Sequence, residues 1–152
     1  MAKILVIDDE RAIRNTLKEI LEFEGYHVEV AENGRVGLER ALEGAYDLIF
    51  TDIKMPEMDG LEFLHSYRKG IIQHGEEAPI VVITGHGSVD SAVDALKGGA
   101  FDFIQKPLDL NRLLVTTKHA LDHKSLVQET KVLRKKVGKR NQMIGESAAI
   151  ER

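Results

Sequence analysis

Residues 3–10, KILVIDDE, decide how the rest of the chain is read. Lys3–Ile7 is an almost continuous apolar run of the kind found in strands covered on both faces. Three acids, Asp8, Asp9 and Glu10, then follow at once. An apolar strand that ends in carboxylates suggests a sheet whose edge carries chemistry.

Four further short runs read as strands, Val28–Ala31, Leu48–Thr51, Ile80–Thr84 and Asp102–Gln105, and of these Leu48–Thr51 and Ile80–Thr84 are continuous apolar runs like the first. Between them the apolar residues switch to helical spacing. Ile13/Leu17/Ile20/Leu21 and Val89/Ala92/Val93/Leu96 each predict a helix with one buried side. Leu38/Ala41/Leu42 and Leu61/Leu64 predict two shorter helices, and Leu110/Leu113/Leu114/Leu121 a longer last one. Gly25, Gly34 and Gly44 fall where helices or turns should break, and Gly70 to Pro79 reads as a polar connection. Strand and helix alternating in this way imply right-handed crossovers and a parallel sheet with helices on both faces. The expected fold is a doubly wound α/β domain of the (βα)₅ kind, ending near residue 120.

At 152 residues and 43% hydrophobic, the chain can bury the core of one domain with some residues to spare. No apolar run approaches the roughly 18 residues that span a bilayer. The opening MAKILVIDDE lacks the parts of a secretory signal, and there is no cysteine, so a reducing cytoplasm is the expected setting. Charge is uneven: residues 1–117 hold 12 Lys and Arg against 21 Asp and Glu, residues 118–140 hold 8 against 2. The basic stretch reads as a solvated helix face. Direct nucleic-acid binding is disfavoured, because no aromatics are interleaved to stack bases.

In an open parallel sheet, ligands bind outside the carboxyl ends of the strands, where the strand order reverses. The informative residues are therefore those at strand ends: Asp8-Asp9-Glu10, Asp52, Thr84-Gly85 and Lys106-Pro107. Carboxylates without His or Cys form a hard oxygen site suited to Mg²⁺. A carboxylate is also a competent nucleophile toward an activated phosphoryl group, a reaction that needs positioning and charge neutralisation above all. Each element has a bland alternative. Asp8-Asp9 could cap the first helix, and Asp52 with Lys54, Pro56 and Gly60 could be turn chemistry. The joint occurrence of four such residue types at strand ends favours a site.

ILVIDDE (4–10), LIFTDIKMPEMDG (48–60), IVVITGHG (80–87) and GAFDFIQKPLD (99–109) resemble the receiver domains of bacterial response regulators, in order and over about residues 3–121. The resemblance implies a flavodoxin-like, CheY-like sheet of strand order 2-1-3-4-5. It makes Asp52 the phosphoacceptor, with Asp8, Asp9, Asp52 and the Lys54 backbone carbonyl around Mg²⁺. Thr84 and Lys106 would then contact the phosphoryl group, and a sensor histidine kinase would donate it. Thr84 and Phe103 are the implied switch residues, Lys54 and His86 the positions that tune hydrolysis, and Lys106–Pro107 an implied cis peptide. Phe103 lacks the hydroxyl of the Tyr common at its position. Activity is expected to be weak self-phosphorylation and autodephosphorylation.

The segment from Thr84 onward looks like the nitrogen-regulation (NtrC-type) subfamily, and MIGESAAIE (143–151) resembles the start of the AAA+ ATPase domain in sigma-54-dependent activators. The expected organisation is a receiver over 1–121, a helical linker over 122–142 and the start of the ATPase over 143–152. Leu126, Leu133 and Val137, spaced by seven and four, form a short coiled-coil-like stripe that would make a homodimer. Downstream ATPase and DNA-binding domains would be the output. Two other readings compete. A small Mg²⁺-dependent phosphatase would want an acid two residues after its nucleophile on the first strand, and here the pair is adjacent. A stand-alone receiver acting only by protein binding fits poorly with the basic tail.

Overall fold

The computed structural model describes residues 2–55, 58–74, 77–85 and 89–123. The order is β1 (Lys3–Ile7), α1 (Arg11–Phe23), β2 (His27–Ala31), α2 (Gly34–Glu43), β3 (Leu48–Asp52), α3 (Gly60–His74), β4 (Ile80–Thr84), α4 (Val89–Lys97) and β5 (Asp102–Gln105). A last helix, α5, occupies residues 110–123. All strand pairs are parallel, in the order β2-β1-β3-β4-β5. The doubly wound sheet and its strand order are thus as expected. No helix among the described residues is long and apolar enough to cross a membrane.

The continuous apolar runs are explained by the pleat. Successive side chains point to opposite faces, and both faces are covered. Leu5, Ile7, Ile49 and Val82 pack with Ala41 of α2, Phe63, Leu64 and Tyr67 of α3 and Ala95 of α4. Ile4, Val6, Phe50, Val81 and Ile83 pack on the other face with Leu17 and Leu21 of α1 and Leu113 and Ala120 of α5. No strand residue of β1, β3 or β4 has a wet side after Lys3, so none alternates with polar residues.

Three sequence readings need correction. The third helix is not short: α3 runs on through Gly70 to His74, where a polar connection was expected. Buried Ile71 continues the apolar seam of Phe63, Leu64 and Tyr67. Gly70 sits where α3 crosses α2, and a Cβ there would lie 2.9 Å from Leu42 Cδ2. It serves close helix packing, not chain reversal. Second, in α4 Ala92 is buried as its spacing predicted, but Ala95 is its buried companion, while Val93 and Leu96 are exposed. Small residues let the helix lie close, and the larger apolar ones point outward. Third, Asp8 and Asp9 do not cap α1. Glu10 is its N-cap residue and makes no side-chain capping bond.

Candidate functional site: acids and a lysine at the strand ends

The strand order reverses between β1 and β3, and the acids at their carboxyl ends face each other there. Asp8, Asp9, Glu10 and Asp52 bring one carboxylate oxygen each within 4.8 Å of one another. Asp8 is fully buried and Asp52 nearly so, while Asp9 and Glu10 are exposed at the rim. Asp52 is the last residue of β3, one position further along that strand than the sequence suggested. Its neighbour across β4 is Ile83, and buried Thr84 follows at the end of that strand.

Lys106 arrives from the end of β5. Its backbone N–H donates to the Thr84 carbonyl at 2.8 Å, which ties the two strand ends together. The Lys106–Pro107 peptide is cis, as the resemblance implied. From there the ammonium donates to Asp52 Oδ2 at 3.3 Å and to Glu10 Oε1 at 2.8 Å, and lies 4.0 Å from Asp8 Oδ2.

Among the described residues, Lys106 is the cation that pairs with these carboxylates, so the four acids leave the site short of positive charge. Asp8 shows this most clearly. Its Oδ1 accepts the Glu10 backbone N–H at 2.8 Å, while its buried Oδ2 has no hydrogen-bond partner. Burial, with Asp52 adding repulsion and the Glu10 N–H and Lys106 opposing, pushes its pKa up to about 7. Asp52 is also raised by burial, against the opposing Lys106 ammonium and the Lys54 backbone N–H. Burial works to lower the pKa of Lys106, but the Glu10 bond and the Asp52 and Asp8 charges outweigh it and the net shift is upward. An orphaned buried oxygen among hard oxygen donors is what a small divalent cation would satisfy.

The turn after β3 depends on a close approach. Gly60 N donates to the Ile53 carbonyl at 2.7 Å, and a Cβ at Gly60 would lie 2.5 Å from the Asp52 carbonyl oxygen. No other residue allows the start of α3 to sit against the end of β3 in this way. Lys54 has an exposed side chain. Phe103 is half-buried on β5 beside the α2–α4 core, with its carbonyl accepting from Arg112 at 3.0 Å. His86, Leu126, Leu133 and Val137 lie outside the described residues.

Sequence reading noted Glu10 as a strand-end acid but gave it no role, and missed Arg14, whose guanidinium donates to the Asp8 carbonyl at 2.7 Å. Glu10 and Lys106 stand 96 residues apart, so only the fold joins them. The third consecutive acid was the available signal.

An acid cluster beside a lysine thus sits at the switch point of a parallel five-stranded sheet, on a doubly wound scaffold. The chain belongs to the response regulator receiver domain family, which matches residues 4–118. It is 42% identical over 123 residues to the transcriptional regulatory protein ZraR of Klebsiella oxytoca, covering 81% of this chain and 27% of that one. Identity to the nitrogen assimilation regulatory protein NtrX of Azorhizobium caulinodans is 38% over 150 residues, covering 97% and 32%. The likeness to regulators of the nitrogen-regulation type therefore holds, although the chain spans only about three-tenths of the length of these curated relatives. Among solved structures, NtrX of Brucella abortus superposes with a TM-score of 0.80 at 37% identity, over 88% of this chain and 30% of that one. A receiver domain protein from Clostridium thermocellum gives 0.76 at 36% identity, over 84% and 99%.

Proposed function

We propose that this receiver takes a phosphoryl group onto Asp52 from a phosphohistidine of a sensor histidine kinase, in a Mg²⁺-dependent reaction in the cytoplasm. The observation that carries the reading is the Lys106 ammonium on Asp52 beside the orphaned oxygen of Asp8. Asp8, Asp9, Asp52 and the Lys54 carbonyl would hold Mg²⁺. When bound, that ion neutralises charge on the transferring phosphoryl group.

The chain's own residues do the rest. An Asp52 carboxylate oxygen forms the new bond to phosphorus as the bond from phosphorus to the imidazole nitrogen breaks. The imidazole leaves with its electron pair and is later protonated by solvent. Lys106 then meets a phosphoryl oxygen, and the Thr84 hydroxyl donates to another. A phosphoryl group brings about −1.5 to −2 charge, which draws Thr84 inward and lets Phe103 follow, remodelling the surface around β5. Lys54 and His86, two positions after Asp52 and Thr84 in the sequence, would set the lifetime of the adduct.

The alignment to the NtrX relative continues over 97% of this chain, past the receiver. That supports a linker over 122–142 and an ATPase start over 143–152. Leu126, Leu133 and Val137 would pair two receivers into a homodimer that controls a sigma-54-dependent ATPase and its DNA-binding domain. The test is incubation with acetyl phosphate and Mg²⁺, followed by mass spectrometry. One base-labile phosphoryl adduct is expected, absent in Asp52→Asn; an adduct that survives this substitution sinks the reading.

A further inference from the structure

Of the three carboxylates that the Lys106 ammonium meets, Glu10 is the nearest. Lys106 Nζ lies 2.8 Å from Glu10 Oε1, against 3.3 Å from Asp52 and 4.0 Å from Asp8. Local structure does not hold Glu10 there. It is the N-cap residue of α1, but its side chain forms no capping bond. Its backbone N–H is taken by Asp8 Oδ1. The Glu10 side chain is 58% exposed, that of Lys106 22% and that of Asp52 6%. A carboxylate therefore reaches in from solvent to hold a cation that the buried acids need.

The ammonium has three donor hydrogens. Its buried partners, Asp8 and Asp52, have no water to turn to, whereas Glu10 regains hydration as soon as it lets go. Glu10 is thus the partner that yields when an anion enters. Building on Asp52 as phosphoacceptor, we infer that Glu10 is a positioning residue, a latch that holds Lys106 at the mouth of the site before phosphorylation and releases it to a phosphoryl oxygen. Each phosphorylation then breaks one exposed ion pair. Pairs of that kind correspond to a factor of about two to five in an equilibrium or rate.

Two substitutions separate a latch from simple repulsion of the incoming anion. Glu10→Gln removes the charge. Glu10→Asp keeps the charge but draws the carboxylate back from Lys106 by one methylene, and Asp is a favoured N-cap residue, so α1 does not suffer. With acetyl phosphate and Mg²⁺, both variants should be phosphorylated about two- to five-fold faster than the parent protein, with the lifetime of the adduct moving far less, because the latch is then already open. In metal-free protein, the ¹⁵N resonance of the Lys106 ammonium should shift in both variants. A faster Glu10→Gln with Glu10→Asp at the parental rate would assign the effect to charge and overturn the latch. Unchanged or slower phosphorylation in both, or an unmoved Lys106 resonance, also overturns it. If these occur while the parent is still phosphorylated on Asp52, the latch alone fails. A parent without an adduct on Asp52 takes the phosphoacceptor reading down as well.

Discussion

The two ends of the sheet use the same residue types and treat them in opposite ways. Toward the amino ends of the strands, the side chain of Glu29, the middle residue of β2, accepts from the Tyr46 hydroxyl at 2.6 Å and lies 3.5 Å from Lys3, 3.3 Å from His27 and 3.9 Å from Arg40. The Lys3 backbone N–H donates to Asp47 at 2.8 Å, and the Lys3 ammonium sits 4.7 Å above the Tyr46 ring. Glu29 and Asp47 both have partners there, and the Tyr46 bond, with His27 and Lys3, holds Glu29 below its usual carboxylate range despite some opposing burial. At the carboxyl ends, Asp8, Glu10 and Asp52 share one lysine, and Asp8 is left with a buried, unpartnered oxygen. One end is electrostatically complete and stabilises the fold. The other is held incomplete by the fold, and binding can complete it.

The largest test of that contrast is Asp8→Asn. The folded-state pKa of Asp8, about 7, is above its ordinary 3.8. Between those values the folded chain keeps a proton that the unfolded chain has lost, so metal-free stability should fall as pH rises through that window. Asn keeps the acceptor for the Glu10 N–H and removes the buried charge. Urea denaturation of the metal-free variant should show a gain of about 1–4 kcal/mol near pH 8, shrinking toward pH 5. Mg²⁺ should stabilise the parent by mass action and the variant much less. A variant less stable than its parent at both pH values would mean that the Asp8 charge is not a burden.

The sheet was legible because its central strands β1, β3 and β4 are buried on both faces and therefore spelled in almost uninterrupted apolar letters; β1, β4 and the half-exposed edge strand β5 match the sequence reading residue for residue. Asp8, Asp9, Asp52, Thr84 and Lys106 were legible because strand ends in such a sheet must converge. What stayed hidden depended on contact at a distance. Gly70 looks like a helix break until Leu42 is placed against it, Val93 and Leu96 look like core until Ala95 is seen to bury instead, and Glu10 looks like spare charge until Lys106 arrives.

Two glycines of α3 sharpen the point at the next level of effect. A Cβ on Gly60 would meet the Asp52 carbonyl oxygen at 2.5 Å and Ile53 Cα at 2.8 Å, backbone that cannot yield without moving Asp52. A Cβ on Gly70 would meet only the tips of Leu42, which can turn aside. Gly60→Ala should therefore cost about 1–3 kcal/mol and weaken Mg²⁺ binding. Gly70→Ala should be near neutral, because Ala is worth up to about 1 kcal/mol over Gly inside a helix. Thermal unfolding with and without Mg²⁺ checks both; equal costs would mean that the β3–α3 approach is no tighter than ordinary helix packing.

The smallest expected effect lies at the paired end, and its size is what the contrast predicts. Tyr46→Phe removes the 2.6 Å bond to Glu29 but leaves Lys3, His27 and Arg40 around the carboxylate. Neutral-pH stability should drop by about 0.5–1.5 kcal/mol. The sign of the pH dependence is opposite to that of Asp8. A carboxylate with a depressed folded pKa contributes stability that is present above its unfolded value, 4.5, and is lost as pH falls through the folded one. Tyr46→Phe should therefore narrow its gap to the parent as pH drops below that value, while phosphorylation at Asp52 proceeds at the parental rate. A gap that stays constant into acid would show the hydroxyl to be working through packing around Tyr46. A changed phosphorylation rate would show that the two ends of the sheet are not electrostatically separate.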